Sequence, residues 1–60
     1  MEWTEFQQLQ PKDRVLTNNW GSAVVDKWVS DDKLEIVLCK FSVPNRRCKK
    51  FARTEIKLKI

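Results

Sequence analysis

Apolar residues recur in two different rhythms along the chain, and the change falls at a proline. Trp3, Phe6 and Leu9 are spaced by three, and Thr4-Glu5-Phe6-Gln7 has the form of a helix capping box, so residues 1–10 are expected to hold a short helical turn. Pro11 stops it and pushes Gln10 towards extended geometry. Beyond Pro11 the period is two. Asp13 to Thr17 predicts a strand with Val15 inward, and Asn18-Asn19-Trp20-Gly21 predicts a turn in which Gly21 takes backbone angles other residues avoid.

Ser22 to Val29 predicts the next strand, with Ala23 and Val25 on one face and Val24 and Trp28 on the other. Ser30 to Lys33 is a polar turn. Leu34 to Phe41, the most apolar stretch, predicts a central strand. Ser42 to Asn45 suits a four-residue hairpin loop, after which Arg46 to Arg53 returns and Thr54 to Ile60 closes the chain. In that last strand Ile56, Leu58 and Ile60 are expected to be buried and Lys57 and Lys59 exposed. Five short strands without a long helix or internal repeat predict an all-β domain: a small five-stranded barrel over residues 11–60, with residues 1–10 capping one open end. An open antiparallel sheet with a helix on one face is the alternative.

The loop fixes a register in which Phe41 faces Arg46, Lys40 faces Arg47 and Cys39 faces Cys48. Ile36, Leu38 and Phe51 then form the inner face. Val37, Cys39, Phe41, Arg46, Cys48 and Lys50 form an outward patch mixing apolar and cationic groups. Strict alternation would turn Lys49 inward beside Phe51, so a β-bulge near Lys49-Lys50 is expected to bring both lysines out.

Composition and charge sharpen this picture. Sixty residues make one domain with a thin core. No apolar run reaches membrane-spanning length and the first residues lack the layout of a secretory signal, so a soluble, cytoplasmic protein is expected. The net charge of +4 is unevenly spread. Residues 1–35 hold seven acids against Lys12, Arg14, Lys27 and Lys33. Residues 36–60 hold Lys40, Arg46, Arg47, Lys49, Lys50, Arg53, Lys57 and Lys59 against Glu55 alone. Such clustering attracts phosphates or an acidic protein surface, although lysines also guard sheet edges.

Lys12-Asp13-Arg14-Val15, Trp20-Gly21-Ser22-Ala23-Val24-Val25, the apolar strand, Lys50-Phe51 and the closing Ile56-Lys57-Leu58 together resemble the pattern of SH3-like modules. Similar patterns occur in the Tudor-like C-terminal domain of bacterial DNA-repair helicases and in the RNA-polymerase-interacting domain of transcription-repair coupling factor. A looser likeness is to the C-terminal domain of retroviral integrases and to the small SH3-like subunit of photosystem I. The resemblance implies an SH3-like barrel but several ligands, DNA in some members and proteins in others. Lys12 and Ala23 depart from it, standing where the pattern has glycine.

Catalytic sets are missing from the sequence. With no His, no G-x-S-x-G, no Gly-rich phosphate loop and no Cys-His pair, an enzyme is not expected, and neither a cofactor nor a metal is implied. Asp31-Asp32 suits a solvated turn. Cys39 and Cys48 are close enough to bridge, but a cytosolic protein keeps such thiols reduced, and two small half-buried hydrophobes are the leading reading. Trp3 is expected in the core. Trp20 and Trp28 are open between core packing and an exposed contact role, and the aromatics are too few for a methyl-lysine cage.

The sequence therefore points to a non-catalytic nucleic-acid-binding module that uses a basic C-terminal strand pair, on duplex DNA with little sequence preference. Its candidate cations are Lys40, Arg46, Arg47, Lys49, Lys50, Arg53, Lys57 and Lys59, with contact area from Trp20, Trp28 and Phe41. The alternative is a docking adaptor for an acidic partner such as RNA polymerase, a helicase or an electron-transfer protein. A monomer or a weak homodimer packed through Trp28 and Val24 fits either.

Overall fold

Pro11 does separate two kinds of structure. The computed structural model describes residues 1–41 and 45–60. Helix α1 spans Trp3–Gln7, and strands β1 (Arg14–Thr17), β2 (Ser22–Trp28), β3 (Glu35–Phe41), β4 (Arg46–Ala52) and β5 (Ile56–Lys59) follow, with a 3-10 turn at Arg53–Glu55 before β5. The strands form one antiparallel sheet in the order β4-β3-β2-β1-β5. The fold is all-β with a short helical turn. Its hydrogen bonding leaves β4 and β5 as the two edges, so these strands do not pair and the expected C-terminal strand pair is absent. The centre of the sheet is β2, one place away from the predicted β3. The loop expected at Ser42 to Asn45 lies, Asn45 apart, outside the described residues.

The helix forms differently from its predicted capping box. Its N-cap is Glu2, which gives no side-chain cap, because Thr4 already lies inside the first turn. The turn is held by backbone bonds such as Phe6 N–H to Glu2 C=O (2.8 Å) and by burial of its apolar side. Phe6 is fully buried and Leu9 nearly so, whereas Trp3 stays 45% exposed. Trp3, expected in the core, instead meets Phe6 edge-on at 5.9 Å and carries the Arg53 guanidinium 4.8 Å over its ring.

The core comprises Phe6, Leu9, Val15, Ala23, Val25, Ile36, Leu38, Phe51 and Ile56, with Met1, Trp20 and Trp28 packed against it. Each large aliphatic or aromatic side chain buried here stabilises the fold by about 1.5–3 kcal/mol. Two bulges decide which residues reach it. Register shifts between Val25 and Lys27, so that Asp26 is the extra residue and Trp28 turns to the core face opposite Ile36. Trp28 then packs edge-to-face on Phe6 at 5.0 Å and donates its indole N–H to Leu9 C=O (3.2 Å). This reverses the predicted placement of Trp28 opposite Ala23 and Val25. A second shift at Lys57 pairs Thr17 with Ile56 but Leu16 with Leu58. Of the three residues expected to be buried in the segment Thr54 to Ile60, only Ile56 is, while Leu58 and Ile60 are 45% and 63% exposed.

Lys12 has φ 80°, the left-handed conformation glycine favours, at the position where the SH3-like pattern has glycine. The turn is fixed by Lys12 N–H to Val25 C=O (2.8 Å) and Gln10 N–H to the Asp13 carboxylate (2.9 Å). At the β2–β3 turn the Ser30 hydroxyl and the Leu34 N–H donate to Asp32, and these hydrogen bonds hold its carboxyl below the usual range. That local role matches the solvated turn predicted for Asp31-Asp32.

Candidate functional site

Thr17 builds the corner that presents Trp20. It closes β1 with its side chain 3% exposed, and its hydroxyl donates to Gly21 C=O (2.7 Å) while accepting from Trp20 N–H (2.9 Å). Gly21 completes the turn with φ 69°. A Cβ added there would lie 3.4 Å from Lys40 Nζ, so the turn also brings the backbone close to a β3 side chain. Threonine at a strand end, bonding three and four residues ahead, is a recognisable turn device, and it adds to the turn signal that Asn18-Asn19-Trp20-Gly21 already gives for this corner.

The predicted β3–β4 register is observed in full, from Glu35 opposite Ala52 to Phe41 opposite Arg46. It runs without the bulge expected near Lys49-Lys50. Alternation therefore continues, and the core face of this hairpin changes character along its length. Ile36 and Phe51 are both buried, Leu38 lies opposite Lys49, and Lys40 opposite Arg47. Lys49 avoids burial because β4 is an edge: it is exposed and its ammonium reaches 5.9 Å over the Phe51 ring. Trp20 borders the same region, half-buried, with its ring 5.3 Å from Phe51 at 39° and Lys40 Nζ 4.8 Å above it. Among the described residues Lys40, Arg47 and Lys49 have no carboxylate partner.

The remaining candidates divide among other places, and this corrects the expectation that the late cations share one side. Arg46 and Lys50 lie on the opposite face of β4, where Arg46 pairs with Asp26 and also approaches Cys39 Sγ at 3.4 Å. Arg53 donates to Met1 C=O (2.8 Å) and stacks on Trp3, so it fixes the N-terminal turn. Lys57 and Lys59 belong to the far edge strand, and Lys59 lies 3.6 Å from Asp13. Trp28 is engaged with Phe6 and Leu9. The side chain of Phe41 lies outside the described residues. Cys39 and Cys48, directly opposite as predicted, are joined by a disulfide where reduced thiols were expected.

The geometry brings together Trp20, Lys40, Arg47, Lys49 and Phe51: a short cationic shelf resting on two aromatic rings at the end of the core. Such an arrangement can hold anions without a catalytic group. Among the described residues no cluster of three or more His, Cys, Asp or Glu could hold a metal ion, and no helix is long and apolar enough to cross a membrane. No protein-family model matches the chain, and no curated protein or solved structure matches it either.

Proposed function

We propose that this chain is a non-catalytic nucleic-acid-binding module that contacts backbone phosphates through Lys40, Arg47 and Lys49. In this proposal the sheet is an SH3-like barrel left open between β4 and β5, and the protein acts in the cytoplasm, where its Cys39–Cys48 bridge meets a reducing thiol pool. The observation that carries it is the position of these cations: three positive groups, without a carboxylate partner among the described residues, at the exposed end of one sheet face, with the Lys40 and Lys49 ammoniums over Trp20 and Phe51. Trp20 is packed on Phe51 beneath Lys40, so it supports the cations rather than offering a bare face for base stacking. That favours phosphate contacts on duplex DNA over readout of unstacked bases.

The test is the salt dependence of binding to short duplexes of unrelated sequence. Log affinity should fall linearly with log salt, with a slope of about −0.9 per phosphate neutralised, and about equally for every sequence. A flat response, or one sequence bound far above the rest, would contradict the proposal.

A second reading is supported by β4 itself. It is an edge strand whose residues Arg46 to Lys50 are all exposed, a form that an acidic partner can extend by one more strand. Capture from a nuclease-treated lysate separates the two: a stoichiometric acidic protein supports docking, and loss of every partner supports nucleic acid.

A further inference from the structure

The disulfide lies on the opposite face of the β3–β4 pair from the cationic shelf and is strongly asymmetric. Cys39 is 1% exposed on β3, whereas Cys48, facing it on the edge strand β4, is exposed. The Cys48 side of the bridge is therefore the side open to a thiolate arriving from solvent. The buried sulfur is the natural leaving group, and the Arg46 guanidinium 3.4 Å from Cys39 Sγ stabilises the charge it takes on leaving. Asp26 offsets part of that effect through its pair with Arg46.

Cys39 also contributes to two grooves on this face of the sheet. One, of about 400 Å³, is lined by Arg14, Ser22, Val24 and Lys40 besides Cys39. The other, of about 320 Å³, is lined by Pro11, Lys12, Val24, Asp26 and Arg46 besides Cys39. Apart from the shelf residue Lys40, the basic residues Lys12, Arg14 and Arg46 thus border the space beside Cys39, and among the described residues Asp26 is the acid that lines it. A thiolate attacking Cys48 from the sheet edge approaches a bridge whose buried half lies beside these basic side chains, which favours a small thiol carrying carboxylates.

We propose that Cys39–Cys48 is a thiol-exchange site for small anionic thiols, and that Cys48 is the sulfur they modify. The incoming thiolate attacks Cys48 Sγ. A new S–S bond forms to the small thiol, the Cys39–Cys48 bond breaks, and its electron pair leaves on Cys39 as a thiolate. A second thiolate then attacks the small molecule's sulfur in the mixed disulfide. This releases the oxidised small disulfide and a Cys48 thiolate, so the protein gains two electrons and two small thiols are oxidised. The proposal does not depend on what the cationic shelf binds.

The oxidised full chain is treated with glutathione, neutral 2-mercaptoethanol and cationic cysteamine at equal thiolate concentrations, quenched with acid and mapped by mass spectrometry. Each rate is divided by that of the same thiol with a small uncharged disulfide. The adduct should appear on Cys48, and normalised rates should fall in the order glutathione, 2-mercaptoethanol, cysteamine, spanning about tenfold at low salt. At about 1 M salt the span should shrink to within about twofold. Arg46→Gln should slow the glutathione reaction more than the cysteamine reaction. Adducts on Cys39, equal normalised rates at low salt, free thiols in the purified protein, or a disulfide that opens only in denaturant would each overturn the proposal.

Discussion

Lys40 Nζ lies 4.8 Å above the ring of Trp20, which joins a β3 cation to the turn between β1 and β2. The contact depends on Thr17 and Gly21 for the shape of the turn, and it holds the positive charge at the margin of the core. The binding properties proposed for this protein should therefore respond to changes in that turn as well as to removal of the cations themselves.

Replacing Lys40, Arg47 and Lys49 by Ala singly should weaken duplex binding by a similar factor on every sequence and reduce the salt slope by about one for each phosphate no longer neutralised. Lys57→Ala, on the far edge strand, should leave affinity nearly unchanged. Fluorescence anisotropy across a salt series measures both quantities.

Thr17→Val keeps the volume of a buried side chain but removes the hydroxyl shared by Trp20 N–H and Gly21 C=O. Leaving those groups without their partner should cost about 1–3 kcal/mol. Thr17→Ser retains the hydroxyl and should cost only about 1 kcal/mol for the missing methyl. Urea denaturation should show lower midpoints with an unchanged slope.

Lys12 and Gly21 make a paired test of backbone strain, since both have positive φ. Lys12→Gly should raise stability by up to about 1 kcal/mol, because relief of the left-handed penalty exceeds the added entropy of the unfolded chain. Gly21→Ala should lower it by about 1 kcal/mol for the opposite reason, the new Cβ itself standing at ordinary contact distance, 3.4 Å, from the Lys40 ammonium. Thermal unfolding of the two variants should shift in opposite directions.

The Cys39–Cys48 bridge closes a loop of sequence separation 9. Chain-entropy reasoning gives such a loop about 2–3 kcal/mol of stabilisation through the unfolded state. Reduction should therefore lower the melting temperature by roughly 10–20 °C for a domain of this size. Calorimetry with and without a dithiol checks the figure, and an unchanged melting temperature would show that the bridge does not constrain the unfolded chain.

Strand positions and the β3–β4 register were legible in the sequence because periodicity and the four-residue spacing between Phe41 and Arg46 determine them together. Pro11 likewise marked the change from helix to strand. What stayed hidden was the effect of single extra residues. Bulges at Asp26 and Lys57 move Trp28 into the core and Leu58 out of it, and nothing in the local composition announces either. Lys49 shows the opposite case, since local alternation suggests a bulge to spare a lysine from burial. An edge strand and a long flexible stem spare it without one, and sheet order is not a local property of sequence. The candidate site was accordingly half visible: its residue types were evident, but the division of the cations between two faces required the strand order and the uninterrupted ladder.

The most direct test of the shelf is a backbone-amide NMR titration of the oxidised protein with a short DNA duplex at low salt. The account predicts that the largest shift changes fall on Thr17 to Gly21, Leu38 to Lys40 and Arg47 to Phe51. Changes concentrated on Lys57 to Ile60 with those three segments unmoved, or none at all, would contradict it.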